Sequence, residues 1–192
     1  ALIELQTNLG IPSLQFGLLK ENDSQMGLSG SGALNGQGNQ LTSFLGITNS
    51  MDVLGGKLFG SLYWGQSADS KNETGMISAI NDIRSSSFGL GYLTSSVFQK
   101  DDQLTFTIDQ PIRVESGNLN LEVPVYRTKK KNVLFNSLDI NLSPSGREIN
   151  SKLEYSSSYK ILNYGVALGY KSDPYHIKYM DDYWYVSLGF DF

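Results

Sequence analysis

Cysteine is absent from the 192 residues. Disulfide scaffolds, thiol catalysis and cysteine-based zinc sites are thereby excluded together, although the compartment stays open. Basic charge is scarce: 15 Lys and Arg stand against 19 Asp and Glu, for a net charge of −4. No nucleic-acid partner is expected, because phosphate neutralisation needs clustered cations. The one basic run, Lys129-Lys130-Lys131, reads as a solvated turn. No window is apolar for long enough to make a transmembrane helix. The opening Ala1-Leu2-Ile3-Glu4 also lacks the basic and apolar stretches of a signal peptide. The chain reads as a mature protein, a fragment or the tail of something longer.

What is plentiful is glycine, with 20 residues, and aromatic side chains, with 11 Tyr, 9 Phe and 2 Trp. The glycines follow no fixed period, which excludes collagen, and the aromatics argue against disorder. The length suits a single domain spanning residues 1–192. Period-two alternation is clearest at the C-terminus. There Trp184, Val186, Leu188, Phe190 and Phe192 share one face, against Tyr183, Tyr185, Ser187, Gly189 and Asp191. The preceding segment sets Leu162, Tyr164, Val166, Leu168 and Tyr170 against Asn163, Gly165, Ala167, Gly169 and Lys171. Stripes of about ten residues that end in Trp or Tyr fit a tilted membrane strand with an interfacial girdle. Soluble strands are shorter, at about five or six residues.

The same alternation recurs upstream. Arg147 to Ser157 has a face too charged for a protein core, with Glu148, Asn150, Lys152 and Glu154. Strands are further expected at Leu134–Leu142, Asn118–Val125, Gln103–Ile112, Ser85–Ser95, Lys57–Gln66, Gln40–Asn49, Gln25–Leu34, Ser13–Leu19 and Leu2–Leu9. Gln40–Asn49 is the least regular, since Phe44 opposes Leu41, Leu45 and Ile47. Turn signals separate the runs, among them Gly55-Gly56, Lys100-Asp101-Asp102, Ser143-Pro144-Ser145-Gly146 and Ser172-Asp173-Pro174. The expected fold is all-β, an antiparallel up-and-down transmembrane barrel of about twelve strands, closed because lipid forbids exposed sheet edges. With Phe192 on the periplasmic side, an even strand number returns Ala1 to that side. Ser67–Arg84 and Ser172–Asp182 then lie outside.

Three segments resemble the translocator barrel of bacterial autotransporters, specifically the C-terminal region of subtilisin-like serine protease autotransporters. They are Phe106-Thr107-Ile108-Asp109-Gln110-Pro111-Ile112-Arg113-Val114-Glu115-Ser116-Gly117, then Leu142-Ser143-Pro144-Ser145-Gly146-Arg147-Glu148-Ile149, and the ending Tyr185 to Phe192. Pro144, Ser145, Gly146, Arg147 and Glu148 form the most specific of these motifs. The resemblance implies residence in the bacterial outer membrane among its lipids, and export or tethering of an N-terminal passenger. It also implies that barrel-assembly machinery reads the terminal strand, with Leu188, Phe190 and Phe192 as its apolar signal. The passenger, and the helix that precedes the family's first strand and plugs the pore, do not occur in this sequence. A passive outer-membrane pore or structural barrel is the alternative.

Little chemistry is expected: no catalytic residue, no cofactor and no metal site. His176, the only histidine, could act as the base of a serine lipid hydrolase, but no serine is marked as its partner. Asp181-Asp182 lacks the spacing of a calcium loop. Asp109, Glu122, Asp139, Lys152 and Glu154 fall on the polar face and are expected to face the lumen, where they select ions, line a passenger's route or bond across the wall.

Overall fold

The computed structural model describes residues 2–5, 12–22, 39–71, 75–160 and 162–191. The strands are β1 (Leu2–Leu5), β2 (Ser13–Asn22), β3 (Asn39–Val53), β4 (Gly56–Ser67), β5 (Ser70–Lys71), β6 (Ile77–Ser95), β7 (Gln103–Arg127), β8 (Val133–Asn141), β9 (Ile149–Tyr159), β10 (Leu162–Ser172) and β11 (Tyr183–Asp191). All eleven belong to one antiparallel sheet, whose main path runs β1-β2-β3-β4-β6-β7-β9-β10-β11. Pro174–His176 adds a single 3-10 turn. The all-β, antiparallel expectation holds.

Closure and strand number differ from the expectation. Among the described residues β1 pairs only with β2 and β11 only with β10, so the sheet is open. Direction explains why these edges do not meet. The main path has nine strands, an odd number, so β1 and β11 run the same way and cannot pair antiparallel. The even parity that put both chain ends on one side is therefore corrected. The expected strand Gln25–Leu34, and most of Leu2–Leu9 beyond Leu5, lie outside the described residues.

Gln103–Ile112 and Asn118–Val125 are one continuous 25-residue strand. Its first part pairs with β9 through Gln103–Asp109, and its last part pairs with β8 through Asn118–Arg127. Beyond Ile112 the strand continues for about 50 Å at the usual rise, and the segment expected as the loop Ser67–Arg84 contributes β5 and the start of β6 to the same extension. The register between β6 and β7 slips near Ser86/Phe88 and again near Asn81/Arg84. Bulges of this kind re-aim a strand where its surroundings change.

Burial is inverted relative to a soluble domain. Only Ile80, Ile83 and Ala167 are buried hydrophobics among the described residues, whereas Asp102, Gln110, Glu148, Ser157 and His176 are buried polar ones. On β11 the apolar stripe is open: Trp184 is 68% exposed, Val186 66%, Leu188 67% and Phe190 63%. The accessible surface is 13062 Å², against about 9,100 Å² for a compact monomer of this mass. A single sheet layer has no second layer over its apolar side.

The opposite face is lined with small residues, and aromatic rings lie on its glycines. Phe44 covers Gly17, Tyr63 covers Gly46, Phe59 covers Gly91 and Tyr185 covers Gly169, so a Cβ at any of these glycines would strike the ring. Each ring is the direct cross-strand partner of its glycine. Such pairs pin register and bury backbone that glycine would leave bare. Phe44 breaks the apolar stripe of β3 because Gly17 needs it on the other side.

Candidate functional site

At the end of the sheet opposite the turn Leu54–Gly55, two loops fold against the middle of β7. They are 142–148, which leads into β9, and 173–182, which joins β10 to β11. Arg113 lies against the first of them, only 13% exposed at its side chain. Its Nε donates to the Gly146 carbonyl at 2.9 Å and its Nη2 to the Pro144 carbonyl at 2.9 Å, while Nη1 pairs with Glu115. Glu115 also accepts from Arg147 Nη2 at 2.9 Å and from the Ser86 hydroxyl at 2.6 Å. Arg147 Nη1 reaches Gln110, which is almost fully buried. The planar guanidinium fork is what lets one side chain hold two carbonyls and a carboxylate together.

The second half of the cluster is built on Glu148. Its carboxylate accepts from the Tyr175 backbone N–H at 2.7 Å and pairs with Lys171 Nζ at 3.2 Å. The Glu148 backbone N–H donates to His176 Nδ1 at 2.9 Å, and His176 Nε2 meets the Ile112 carbonyl at 3.0 Å. An accepting Nδ1 leaves the proton on Nε2, so the ring is a neutral strut between the loop and β7. Neither nitrogen is left to take a proton from a substrate. Gly146 donates its N–H to the His176 carbonyl at 2.7 Å, and a Cβ there would lie 2.6 Å from the Lys178 nitrogen. Ser145 Oγ accepts from Lys178 N–H at 3.2 Å. Thus all five motif residues, Pro144 to Glu148, bind the cluster.

The electrostatics follow. For Glu115, burial pushes the carboxyl up, but the Ser86 hydroxyl and the Arg147 and Arg113 guanidiniums outweigh it and hold the group below its usual range. For Glu148, burial again opposes ionisation and is outweighed by the Tyr175 N–H and by Lys171. Both carboxylates are held charged. The Asp182 carboxylate of the neighbouring loop is engaged by the Tyr170 hydroxyl at 2.6 Å and the Asp173 N–H at 2.9 Å.

The expected lumen residues divide. Asp109 accepts from Asn150 Nδ2 at 3.0 Å, and Lys152 pairs with Glu154 at 2.7 Å. Lys152 stands opposite Gly169 and Glu154 opposite Ala167, which puts them on the small-residue face. Glu122 and Asp139 instead lie on the β7–β8 extension, where β8 is exposed along its whole length. Leu188 and Phe190 project from the apolar face, and Phe192 lies outside the described residues. No family model matches this chain, no curated protein is similar to it, and no solved structure matches it.

Arg113, Glu115, Gln110, Lys171 and the role of His176 were not singled out by sequence reasoning. Arg113 and Glu115 two apart on one strand face were the available signal. At the other end of the sheet, the sequence marks Asp102 only as part of a turn. It is fully buried and caps that turn, accepting from the N–H groups of Val97, Phe98 and Gln99 at 2.6–2.9 Å and from the Tyr155 hydroxyl at 3.1 Å. Burial raises its carboxyl, and the three backbone N–H groups with Tyr155 bring the net below the usual range.

Proposed function

We propose that this chain forms the wall of an outer-membrane β-barrel that translocates or anchors an N-terminal passenger, as the autotransporter resemblance implies. The observation that carries the reading is inverted burial: the apolar side chains of β2, β3, β4, β9, β10 and β11 stand in the open, and the opposite face carries small and polar residues with rings over its glycines. Water would penalise such a surface, whereas hydrocarbon accepts it. In this reading the spans include residues 85–95 of β6 and 103–112 of β7. The extension and both loops of the ion-pair cluster project beyond the bilayer. Tyr170 and Trp184, whose ring centroids are 4.7 Å apart, mark the girdle at that end, and Tyr92 marks the other.

A lipid-exposed edge is costly, so the two edges need partners. Because β1 and β11 run in the same direction, an all-antiparallel closure takes an odd number of further strands between them. The ion-pair cluster supports the translocator reading because it joins the first two resembling segments, 106–117 and 142–149, which are separate in sequence. One observation favours a passive pore. Gly17, Gly46, Gly91 and Gly169 are each covered by a cross-strand ring, and a barrel closed with such a wall would keep room in its lumen.

The test is a folded reporter fused ahead of Ala1 and expressed with the chain in a diderm bacterium. A translocator delivers the reporter to protease added outside intact cells. Inserted barrel with the reporter retained in the periplasm would support the pore and overturn the translocator.

A further inference from the structure

We propose that the apolar face carries a self-association site centred on Asn49 and Gly60, whose occupant is a second copy of this chain; the proposal rests on the membrane reading above. On β3 the apolar face holds Leu45, Ile47, Asn49 and Met51, because Phe44 and Gly46 meet Gly17 and Tyr63 on the other side. Asn49 is the cross-strand partner of Gly60, which in turn pairs with Leu90. A polar amide therefore interrupts the stripe beside a position with no side chain. The two leave a cavity of about 360 Å³, walled by Ile47, Met51, Leu58, Leu62, Phe88 and Leu90.

Among the described residues the Asn49 amide has no hydrogen-bond partner in its own chain. Hydrocarbon supplies none, and an unsatisfied amide there is costly. A lipid tail would fill the cavity and leave the amide as it was. A second copy satisfies it, because a carboxamide is self-complementary, with one group that donates and one that accepts. A twofold axis along the membrane normal keeps every residue at its own depth, so Asn49 meets Asn49 of the second copy and the amides exchange two hydrogen bonds. Gly60 allows the two backbones to approach, as small residues do at membrane contacts.

The absence of cysteine makes the test direct. The chain carrying Lys71→Cys is labelled with donor or acceptor dye, reconstituted in phospholipid vesicles, checked for flotation with them, and followed by energy transfer across protein-to-lipid ratios. Association is expected for the parent and for Asn49→Gln, and about tenfold weaker for Asn49→Leu, the size that two membrane hydrogen bonds supply. Gly60→Leu should weaken it at least as much, and Leu168→Ala on a remote part of the face should not. Unchanged transfer in Asn49→Leu overturns the proposal. So does a parent that floats as a monomer at every ratio, including one that retains phospholipid in native mass spectrometry. A chain that does not float overturns the membrane reading, and the proposal with it.

Discussion

Along β7, residues 103–109 and residues 113–121 handle burial in opposite ways, although one unbroken strand carries both. In the first stretch the apolar side chain of Phe106 is exposed beside that of Leu153, while Thr105, Thr107 and Asp109 point to the small-residue face. In the second, Arg113 and Glu115 are drawn into ion pairs, and Gly117 is buried against Ile83 and Leu142. The extension thus buries Ile80 and Ile83, whereas the main sheet displays its leucines. A strand's pattern does not by itself say which face is the inside; the surrounding solvent does. The bulges between β6 and β7 lie where one regime gives way to the other.

The largest expected effect separates the two regimes directly. Leu168→Arg or Val186→Arg, in the middle of the exposed stripe, should cost about 2–4 kcal/mol in urea unfolding from lipid vesicles. Leu138→Arg on the extension is comparably exposed in the structure, 45% against 44% for Leu168, and should change stability by no more than about 0.5 kcal/mol. Equal costs at both places would erase the distinction. Next come the covered glycines: Gly169→Ala must displace the Tyr185 ring and should cost about 1–3 kcal/mol. Gly189→Ala, with nothing near its Cβ, should stay within about 0.5 kcal/mol.

The ion-pair cluster should respond locally. Arg113→Ala leaves the Pro144 and Gly146 carbonyls without their donor, a loss of about 1–3 kcal/mol, read as faster proteolytic nicking within 142–148 while the main sheet stays protected. Arg113→Lys should rescue little, since an ammonium cannot span both carbonyls and Glu115. The smallest effect is that of acid. Glu115 and Glu148 are held below their usual range, so their stabilisation is complete above the ordinary carboxylate value of about 4.3 and is lost as pH falls through the depressed folded values. Amide protection in 142–148 and 173–178, taken relative to the intrinsic exchange rate at each pH, should fall on acidification below about pH 4, ahead of any change in β9–β11. Loosening of those loops on raising the pH instead would contradict the assignment.

The alternation made most of the main sheet legible, because each strand there has one apolar face and the period is short. The join in β7 is hidden because the alternation reads as two strands, Gln103–Ile112 and Asn118–Val125, whereas one strand passes Pro111 and Gly117 and bulges near the first. Phe44 was legible only as an irregularity, since its reason, Gly17, is 27 positions away in sequence and adjacent only through register. The same holds for the ion-pair cluster. Pro144 to Glu148 stood out as a motif, but its partners Arg113 and His176 come from other strands and loops, and no local pattern joins them. Openness of the sheet was illegible too, because it depends on strand direction counted across the whole path.

The central claim, that the exposed apolar face meets lipid, is tested most directly through Trp64 and Trp184, the only tryptophans in the chain. Both lie on that face, 46% and 68% exposed. In vesicles, lipids brominated high on the acyl chain should quench both, with blue-shifted emission that acrylamide barely reduces. Water-like emission from the folded chain, quenched by acrylamide and untouched by brominated lipid, would contradict the claim.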